Sequence, residues 1–248
     1  MNNQTLERMR QMRMYGMYDA FKTSLETTIK ETLSTDEFVG MLLTSEWDDR
    51  RNRAIARFIQ MAGFRYKASI EEIDYSIERG LDRNQVNRLA SLDFVREHKD
   101  LFVTGPTGTG KSYLASALGY HACQNEHRVL YASTGKLMSH LKLVKAKGTI
   151  LAELKRIERA ELLILDDFGM HAFDASSRGL LLDIIEDRHG KRSTMIASQI
   201  PVSEWYERIG EKTVADAVLD RIVHHALRVE LTGDSLRKRL SDKENDLK

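Results

Sequence analysis

From residue 100 onward, short apolar runs alternate with stretches of helical sequence. Each run has the length of a buried strand, and the residues between the runs follow a helical period. Alternation of this kind builds a parallel sheet with helices on both faces. We therefore predict an α/β fold with a parallel five-stranded sheet flanked by helices. The predicted strands cover residues 101–103, 129–132, 162–165, 195–197 and 227–231.

Residues 1–65 follow a different pattern, in which apolar positions recur at three- and four-residue steps. This spacing predicts a small all-helical N-terminal domain. Within it, Ser34 and Glu37 stand three residues apart before an apolar run, as in a helix capping box. We expect residues 66–98 to form a connector, residues 99–237 to form the sheet-containing domain, and residues 238–248 to form a charged tail.

Composition narrows the class of protein. Lys and Arg (38) almost balance Asp and Glu (37), so any nucleic-acid binding must come from local basic patches. The single cysteine, Cys123, excludes an intramolecular disulfide, and its apolar surroundings predict a buried thiol. No apolar run approaches the roughly 20 residues of a membrane span, and no signal peptide is recognisable. We expect a cytoplasmic protein with no membrane association.

The strongest chemical signal follows the first predicted strand, where the chain reads G-x-x-x-x-G-K-S. Such a P-loop, placed between a strand and a helix, wraps nucleotide phosphates with its backbone N–H groups. We predict that Lys111 reaches the β- and γ-phosphates and that Ser112 ligates a metal, so the ligands are ATP and Mg²⁺. The predicted binding residues are Gly105, Pro106, Thr107, Gly108, Thr109, Gly110, Lys111, Ser112 and Tyr113.

Two aspartates follow the apolar run of residues 162–165. Beside a P-loop, Asp166 is placed to hold Mg²⁺, directly or through water, and Asp167 to act as general base for an attacking water. A strand that ends in a solvated acidic turn explains the same two residues without any function.

Two further polar residues are candidates for chemistry at the γ-phosphate. Gln199 follows the run of residues 195–197 and could orient water there, with Ser198 as a second choice. Arg221, on a helix predicted over residues 214–225, could reach the γ-phosphate of a neighbouring subunit. A plain strand end and a surface salt bridge are the respective alternatives.

The chain resembles the IstB-like proteins, the ATP-binding helpers of a bacterial insertion-sequence family. These are relatives of the DnaC helicase loaders within the AAA+ ATPases. The resemblance covers nearly the whole chain and rests on the P-loop, the paired aspartates, L-D-R-I-V-H at residues 219–224 and G-D-S-L-R at residues 233–237. It implies an AAA+ P-loop ATPase domain that hydrolyses ATP, with Arg221 as arginine finger and Arg237 as a sensor arginine near the phosphates.

The resemblance also implies partners: a homo-oligomer in a ring or helical arc, double-stranded DNA, and a transposase encoded by the same element. Three features depart from the AAA+ pattern. Asp167 replaces a common Glu, Gln199 replaces the Asn of helicase loaders, and the C-terminus is too short for a separate helical lid. Because Asp167 is the shorter acid, we expect slow hydrolysis that DNA or assembly stimulates.

Two basic stretches could meet DNA. In ring-forming relatives, the region after the second strand faces a central channel, so its basic residues would neutralise phosphates without reading bases. A solvated helical face is an equal alternative. The earlier stretch, residues 50–67, is interpreted as structural because neighbouring aspartates offset its charge. The predicted DNA contacts are Lys142, Lys145, Lys147 and Arg156.

Together these signals predict an ATP-dependent, sequence-indifferent double-stranded DNA-binding ATPase that assists a transposase in target capture and activation. A replicative helicase loader is the main alternative, in which the N-terminal helices would grip a helicase. A small-molecule kinase and a module that holds ATP without hydrolysing it are further alternatives. The helical N-terminal domain and the Asp220-Arg221 segment count against the kinase.

Overall fold

The computed structural model describes residues 2–27 and 33–236. The chain divides into two compact units, Met1–Arg57 and Phe58–Lys248. The longest described helix is rich in charged residues, and none of the described helices combines the length and apolar character that crossing a bilayer requires.

The first unit is helical, as its sequence pattern predicts. The capping box is confirmed: the backbone N–H of Ser34 donates to the Glu37 carboxylate at 2.8 Å, and the N–H of Glu37 donates to Ser34 Oγ at 3.3 Å. The buried Glu46 carboxylate accepts hydrogen bonds from the N–H of Met17 and from Arg50, which joins two helices. The helices are α1 (Asn2–Gln11), α2 (Tyr15–Glu26) and α3 (Thr35–Ala62), which continues into the second unit.

The second unit contains a five-stranded parallel sheet in the order β2-β3-β4-β1-β5, which confirms the predicted sheet. Every residue of β3 and β4 is buried. This burial is expected where helices cover both faces of a parallel sheet. The strands are β1 (Leu101–Thr104), β2 (Val129–Ser133), β3 (Leu162–Asp166), β4 (Ser193–Ser198) and β5 (Leu227–Glu230).

Two apolar clusters lie on opposite faces of the sheet. Leu101 and Val103 of β1 pack in one cluster and Phe102 packs in the other, because successive side chains of a strand alternate in direction. The helices of this unit are α4 (Arg83–Ala90), α5 (Asp93–Arg96), α6 (Lys111–Gln124), α7 (Thr134–Ala146), α8 (Ile150–Arg159), α9 (Ala175–Arg188), α10 (Trp205–Ile209) and α11 (Lys212–Val223), with a 3₁₀ turn at Val202–Glu204.

Residues 66–98 contribute directly to the first of these clusters. Val86, Leu92 and Phe94 are almost completely buried there, beside Cys123, whose predicted burial is confirmed. The Asp82 carboxylate accepts two backbone N–H groups at the start of α4 and fixes where that helix begins.

A buried cation, Arg188, and a half-buried carboxylate, Asp100, lie at the amino ends of the strands. Arg188, at the end of α9, donates to the carbonyl oxygens of Ile157 and Ala160, each at 2.8 Å. Asp100, directly before β1, accepts a hydrogen bond from the N–H of Thr194 at 2.7 Å. Burial raises the pKa of Asp100 to about 6, although the Thr194 hydrogen bond and the Arg188 charge both act in the opposite direction.

Asp100 should make stability depend on pH between about 4 and 6. The folded protein holds this proton more tightly than the unfolded chain does, so folding gains free energy from Asp100 as pH falls through this window. Relative to Asp100→Asn, which keeps the oxygen acceptor for Thr194, the wild type should gain about 2 kcal/mol in free energy of unfolding between pH 7 and pH 4. Urea unfolding of both proteins at pH 7 and at pH 4 measures the free energies of unfolding. An equal change in the wild type and in Asp100→Asn would contradict the prediction.

Candidate nucleotide-binding site

The P-loop joins the end of β1 to the start of α6 and depends on glycine at two positions. Gly105 has φ of 145° and Gly108 has φ of 85°, conformations that favour glycine. A Cβ atom on Gly105 would lie 2.1 Å from the carbonyl oxygen of Leu231, and one on Gly108 would lie 2.1 Å from Ser235 Oγ. The close approach of the chain after β5 therefore excludes a side chain at either position.

Two contacts close the P-loop upon itself and onto β4. Lys111 Nζ donates to the carbonyl oxygen of Pro106 at 2.8 Å. Thr107 Oγ1 donates to Gln199 Oε1, and Gln199 directly follows β4. Ser198, the second choice at this position, instead donates to the carbonyl oxygen of Phe168 at 2.7 Å. The contact with the loop is therefore made by Gln199.

Asp166 is the centre of a polar cluster at the carboxyl edge of the sheet. It is 1% exposed, and its Oδ1 accepts hydrogen bonds from Ser112 Oγ at 3.0 Å and from the N–H of Asp167 at 2.9 Å. Its Oδ2 accepts the hydroxyl of Tyr131, and Thr134 Oγ1 donates to its carbonyl oxygen at 2.9 Å. The carboxylate is therefore held in one orientation by Tyr131 of β2, Ser112 of α6 and the N–H of Asp167, while Thr134 of α7 holds the backbone.

A hydroxyl and a carboxylate in contact at the end of a phosphate loop are the oxygen ligands that Mg²⁺ prefers. The sequence-predicted metal residues, Ser112 and Asp166, are thus brought together and fit a magnesium ion. Elsewhere in residues 2–27 and 33–236, no group of three or more His, Cys, Asp or Glu side chains is arranged to hold a metal.

Asp167 occupies a strained position beside this cluster. Its φ of 55° is in the left-handed region, which costs free energy for a residue with a side chain. The residue is half-buried and lines a cavity of about 180 Å³ together with Thr134, Lys142 and His171. The paired aspartates therefore have different surroundings, Asp166 within the polar cluster and Asp167 beside this cavity.

A larger cavity, of about 650 Å³, lies against the P-loop and contains residues that sequence analysis missed. Tyr66 and Tyr113 line it with their rings 6.4 Å apart and nearly parallel. Arg79 is buried in its wall. No local motif marks Tyr66 or Arg79, because both come from the segment between α3 and α4 and reach the loop only through the fold.

Tyr131 is the other functional side chain that sequence analysis missed. Burial, followed by the neighbouring Asp166 carboxylate, raises its pKa, so the phenol keeps the proton that it donates to Asp166. Its position, one residue before the end of an apolar run that pairs with β3, was a usable signal. A polar group there reaches the same sheet edge as the aspartates.

Arg221, one of the two predicted arginines, does not join the site within this chain. Arg221, on α11, donates to the carbonyl oxygen of Ala217 at 2.6 Å and forms a salt bridge with Glu186 at 2.7 Å. It is not among the residues that line the cavity beside the loop. Arg237 lies outside the described residues. The residue before it, Leu236, lines that cavity and donates its N–H to the carbonyl oxygen of Gly108 at 2.9 Å.

The predicted DNA contacts lie on α7, at its C-cap and on α8, away from the P-loop. Lys145 and Lys147 are exposed near the end of α7. Lys142 instead forms a salt bridge with Asp174 at 2.7 Å, and Arg156 pairs with Glu153 at 3.3 Å. The hydrogen bond from Lys142 holds the pKa of Asp174 well below its usual range.

Comparison with known proteins agrees with this geometry. Residues 7–244 match the family model described as IstB-like ATP binding protein. A Sinorhizobium fredii (strain NBRC 101917 / NGR234) protein named as an insertion sequence ATP-binding protein, y4pL, is 42% identical over 234 residues, which cover 94% of this chain and 96% of the relative.

Two solved structures share the fold. DnaI is 25% identical with a TM-score of 0.57, over 67% of this chain and 92% of that one. AMPPCP-bound DnaA from Aquifex aeolicus is 20% identical with a TM-score of 0.59, over 74% and 56%. The predicted AAA+ fold is confirmed by these likenesses. From its P-loop, its paired aspartates and a family match that spans almost its full length, this chain belongs to the IstB-like ATP-binding proteins.

Proposed function

We propose that this protein is a cytoplasmic AAA+ ATPase that binds double-stranded DNA without sequence preference and assists a transposase in target capture and activation. The hydrogen bond between Ser112 and Asp166 at the P-loop carries the ATPase part of the proposal. The role in transposition is supported by the insertion-sequence name of the relative that matches 94% of the chain.

ATP would bind with its phosphates in the P-loop and its base in the larger cavity. The backbone N–H groups at the start of α6 would face the phosphates, and Lys111 would exchange the Pro106 carbonyl for the β- and γ-phosphate oxygens. Ser112 and Asp166 would hold Mg²⁺, which when bound supplies positive charge beside the same oxygens. The AMPPCP in the DnaA structure supports a nucleoside triphosphate on this fold.

Hydrolysis would transfer the γ-phosphoryl group to water. The water oxygen bonds to the γ-phosphorus as the bond to the β,γ-bridging oxygen breaks, which yields ADP and phosphate. Asp167 would accept the proton that the water loses, and Gln199, held beside the loop by Thr107, would orient that water. Arg221 of a neighbouring subunit would stabilise the charge that develops on the phosphoryl oxygens, so that assembly and hydrolysis are coupled.

Replacing the proposed base should separate hydrolysis from binding. Asp167→Asn should lower ATP turnover by about 10²- to 10³-fold and leave ATP affinity unchanged, because the side chain acts on the attacking water. Lys111→Ala should instead weaken ATP binding by about tenfold or more. Phosphate release and nucleotide titration measure the two effects. Turnover that survives in Asp167→Asn would exclude Asp167 as the base. Equal ATP affinity in the wild type and in Lys111→Ala would contradict the proposed nucleotide site.

Arg221 can be tested for action between subunits. Arg221→Ala should lower turnover by about 10³-fold, whereas Glu186→Gln, which removes its salt-bridge partner, should not. A one-to-one mixture of Arg221→Ala and Asp167→Asn should recover about a quarter of the wild-type rate, because that share of interfaces then combines an intact Arg221 with an intact Asp167. Phosphate release on DNA measures the recovery, and a mixture as inactive as its components would contradict action in trans.

DNA would meet the basic surface formed by Lys142, Lys145, Lys147 and Arg156, which we call the lysine face. Lys145 and Lys147 are its exposed members, whereas the salt bridges of Lys142 and Arg156 would have to open before these two could contact phosphate. Lysine contacts to phosphate release condensed counterions and carry no base information. The surface therefore favours binding that is sensitive to salt and indifferent to sequence.

The salt dependence of DNA binding tests the lysine face. The double variant Lys145→Gln and Lys147→Gln should reduce the slope of log affinity against log salt by about 2, one for each lost phosphate contact. The loss of affinity should be equal on unrelated duplexes. The matched double variant Lys191→Gln and Lys212→Gln, on other exposed parts of the chain, should keep the wild-type slope. Fluorescence anisotropy over a salt series measures the slope for each variant. The same slope in the wild type and in the Lys145→Gln, Lys147→Gln variant would exclude DNA binding by the lysine face.

Helicase loading is a second candidate function, because a solved DnaC helicase loader shares this fold over 70% of this chain. Both candidates use the same nucleotide chemistry and differ in the protein that is bound. Capture experiments with the transposase encoded beside this protein and with the host replicative helicase, each with ATP and with ADP, separate them. Retention of the transposase alone supports transposition, and retention of the helicase alone supports loading.

A further inference from the structure

Arg79 is a buried cation with an incomplete set of hydrogen bonds. It is 6% exposed, and its guanidinium donates to two carbonyl oxygens, that of Thr109 at 3.3 Å and that of Asp74 at 2.9 Å. Its Nε–H is buried without a hydrogen-bond partner in the part of the chain that the structure describes. A buried charge with an unmet donor is costly unless an anion compensates it.

The surroundings of Arg79 compensate its charge only partly. The carboxylate of Asp74 acts on the guanidinium electrostatically, but that carboxylate also accepts both the N–H and the hydroxyl of Ser76, at 2.8 Å and 2.6 Å. Burial outweighs the attraction and lowers the pKa of Arg79. The site therefore retains an electrostatic preference for a further negative group.

That preference is directed at the nucleotide cavity. Arg79 lines it together with Lys111 and Tyr113, and a Cβ atom on Gly110 would lie only 2.7 Å from Arg79 Nη1. The guanidinium thus touches the P-loop directly before α6 begins. The carbonyl oxygen of Arg79 accepts the N–H of Thr232 at 2.8 Å, so the segment that carries the side chain is fixed in place.

We propose that Arg79 is a second cationic ligand of the nucleotide, acting on the phosphates nearest the ribose. This inference rests on the proposed ATP binding and adds a residue to it. Lys111 serves the β- and γ-phosphates, and Arg79 lines the same cavity as Tyr66 and Tyr113, whose rings would hold the base. The contact is made to the part that ATP and ADP share, so Arg79 contributes to affinity and not to the discrimination between them.

The test is calorimetric titration of the full chain with ADP and with ATP in the presence of Mg²⁺. Arg79→Met keeps much of the buried volume and removes the charge, and it should raise both dissociation constants by the same factor, about ten- to a hundredfold. Arg79→Lys keeps a point charge without the planar fork and should fall between Met and wild type. Arg79→Met also removes the donor to the carbonyl oxygens of Thr109 and Asp74, so the melting temperature of the ligand-free protein should fall in Arg79→Met and less in Arg79→Lys.

Arg178→Met is the matched control. Arg178 also has a buried Nε without a hydrogen-bond partner, but it does not line the nucleotide cavity, and its replacement should leave both affinities unchanged. Wild-type ADP affinity in Arg79→Met would overturn the inference. The inference would also be overturned if Arg79→Met and Arg79→Lys lost the same affinity and the same melting temperature, because Arg79 would then act only by holding the loop in place. If the wild type bound neither nucleotide, the proposed function itself would fail, which distinguishes the two failures.

Discussion

The hydrogen bond between Ser112 and Asp166 depends on the direction of the strands. In a parallel sheet all carboxyl ends lie at one edge, so residues that directly follow different strands become neighbours. Thr104 is opposite Ser198 in the β1–β4 register, and Ser133 is opposite Asp166 in the β2–β3 register. The loop after β1, the aspartates at the end of β3 and Gln199 after β4 therefore meet, although they are far apart in the chain. One topological constraint brings the P-loop, the Asp166 carboxylate and the Gln199 amide together.

The two edges of the sheet have different physical characters. At the amino edge, Arg188 donates to the carbonyl oxygens of Ile157 and Ala160 and Asp100 accepts a backbone N–H, so polar groups there join neighbouring elements. At the carboxyl edge, Asp167 has a strained φ, and the P-loop glycines have positive φ values. Strain and buried charge persist only where the surrounding structure fixes them. The well-bonded edge provides the rigid support on which the strained edge is held for chemistry.

Local sequence was sufficient where the signal depended on spacing. The five apolar runs, the capping box of Ser34 and Glu37, and the approach of Ser112 to Asp166 all follow from patterns within a few residues or from the direction of strands. Arg79 and Tyr66 could not be found in this way, because no repeat or motif links residues 66–79 to the P-loop. Their position results from burial of that segment against the rest of the second unit, and burial is decided by the whole core. The salt bridge between Lys142 and Asp174 could not be predicted either, because the sequence does not distinguish a lysine in a salt bridge from one exposed to solvent.

The chain after β5 explains why a family-specific ending accompanies a phosphate loop that many families share. The N–H of Leu231 donates to the carbonyl oxygen of Thr104 at 2.7 Å, and the N–H of Leu236 donates to that of Gly108 at 2.9 Å. Gly233 turns the chain between them with φ of 83°, where a Cβ atom would lie 2.9 Å from the carbonyl oxygen of Glu78. The ending therefore packs against both the P-loop and the segment that carries Arg79. Because all three share backbone hydrogen bonds, a change in the loop on binding phosphate must be accommodated by the ending. The position of residues 233–236 is therefore tied to the conformation of the P-loop.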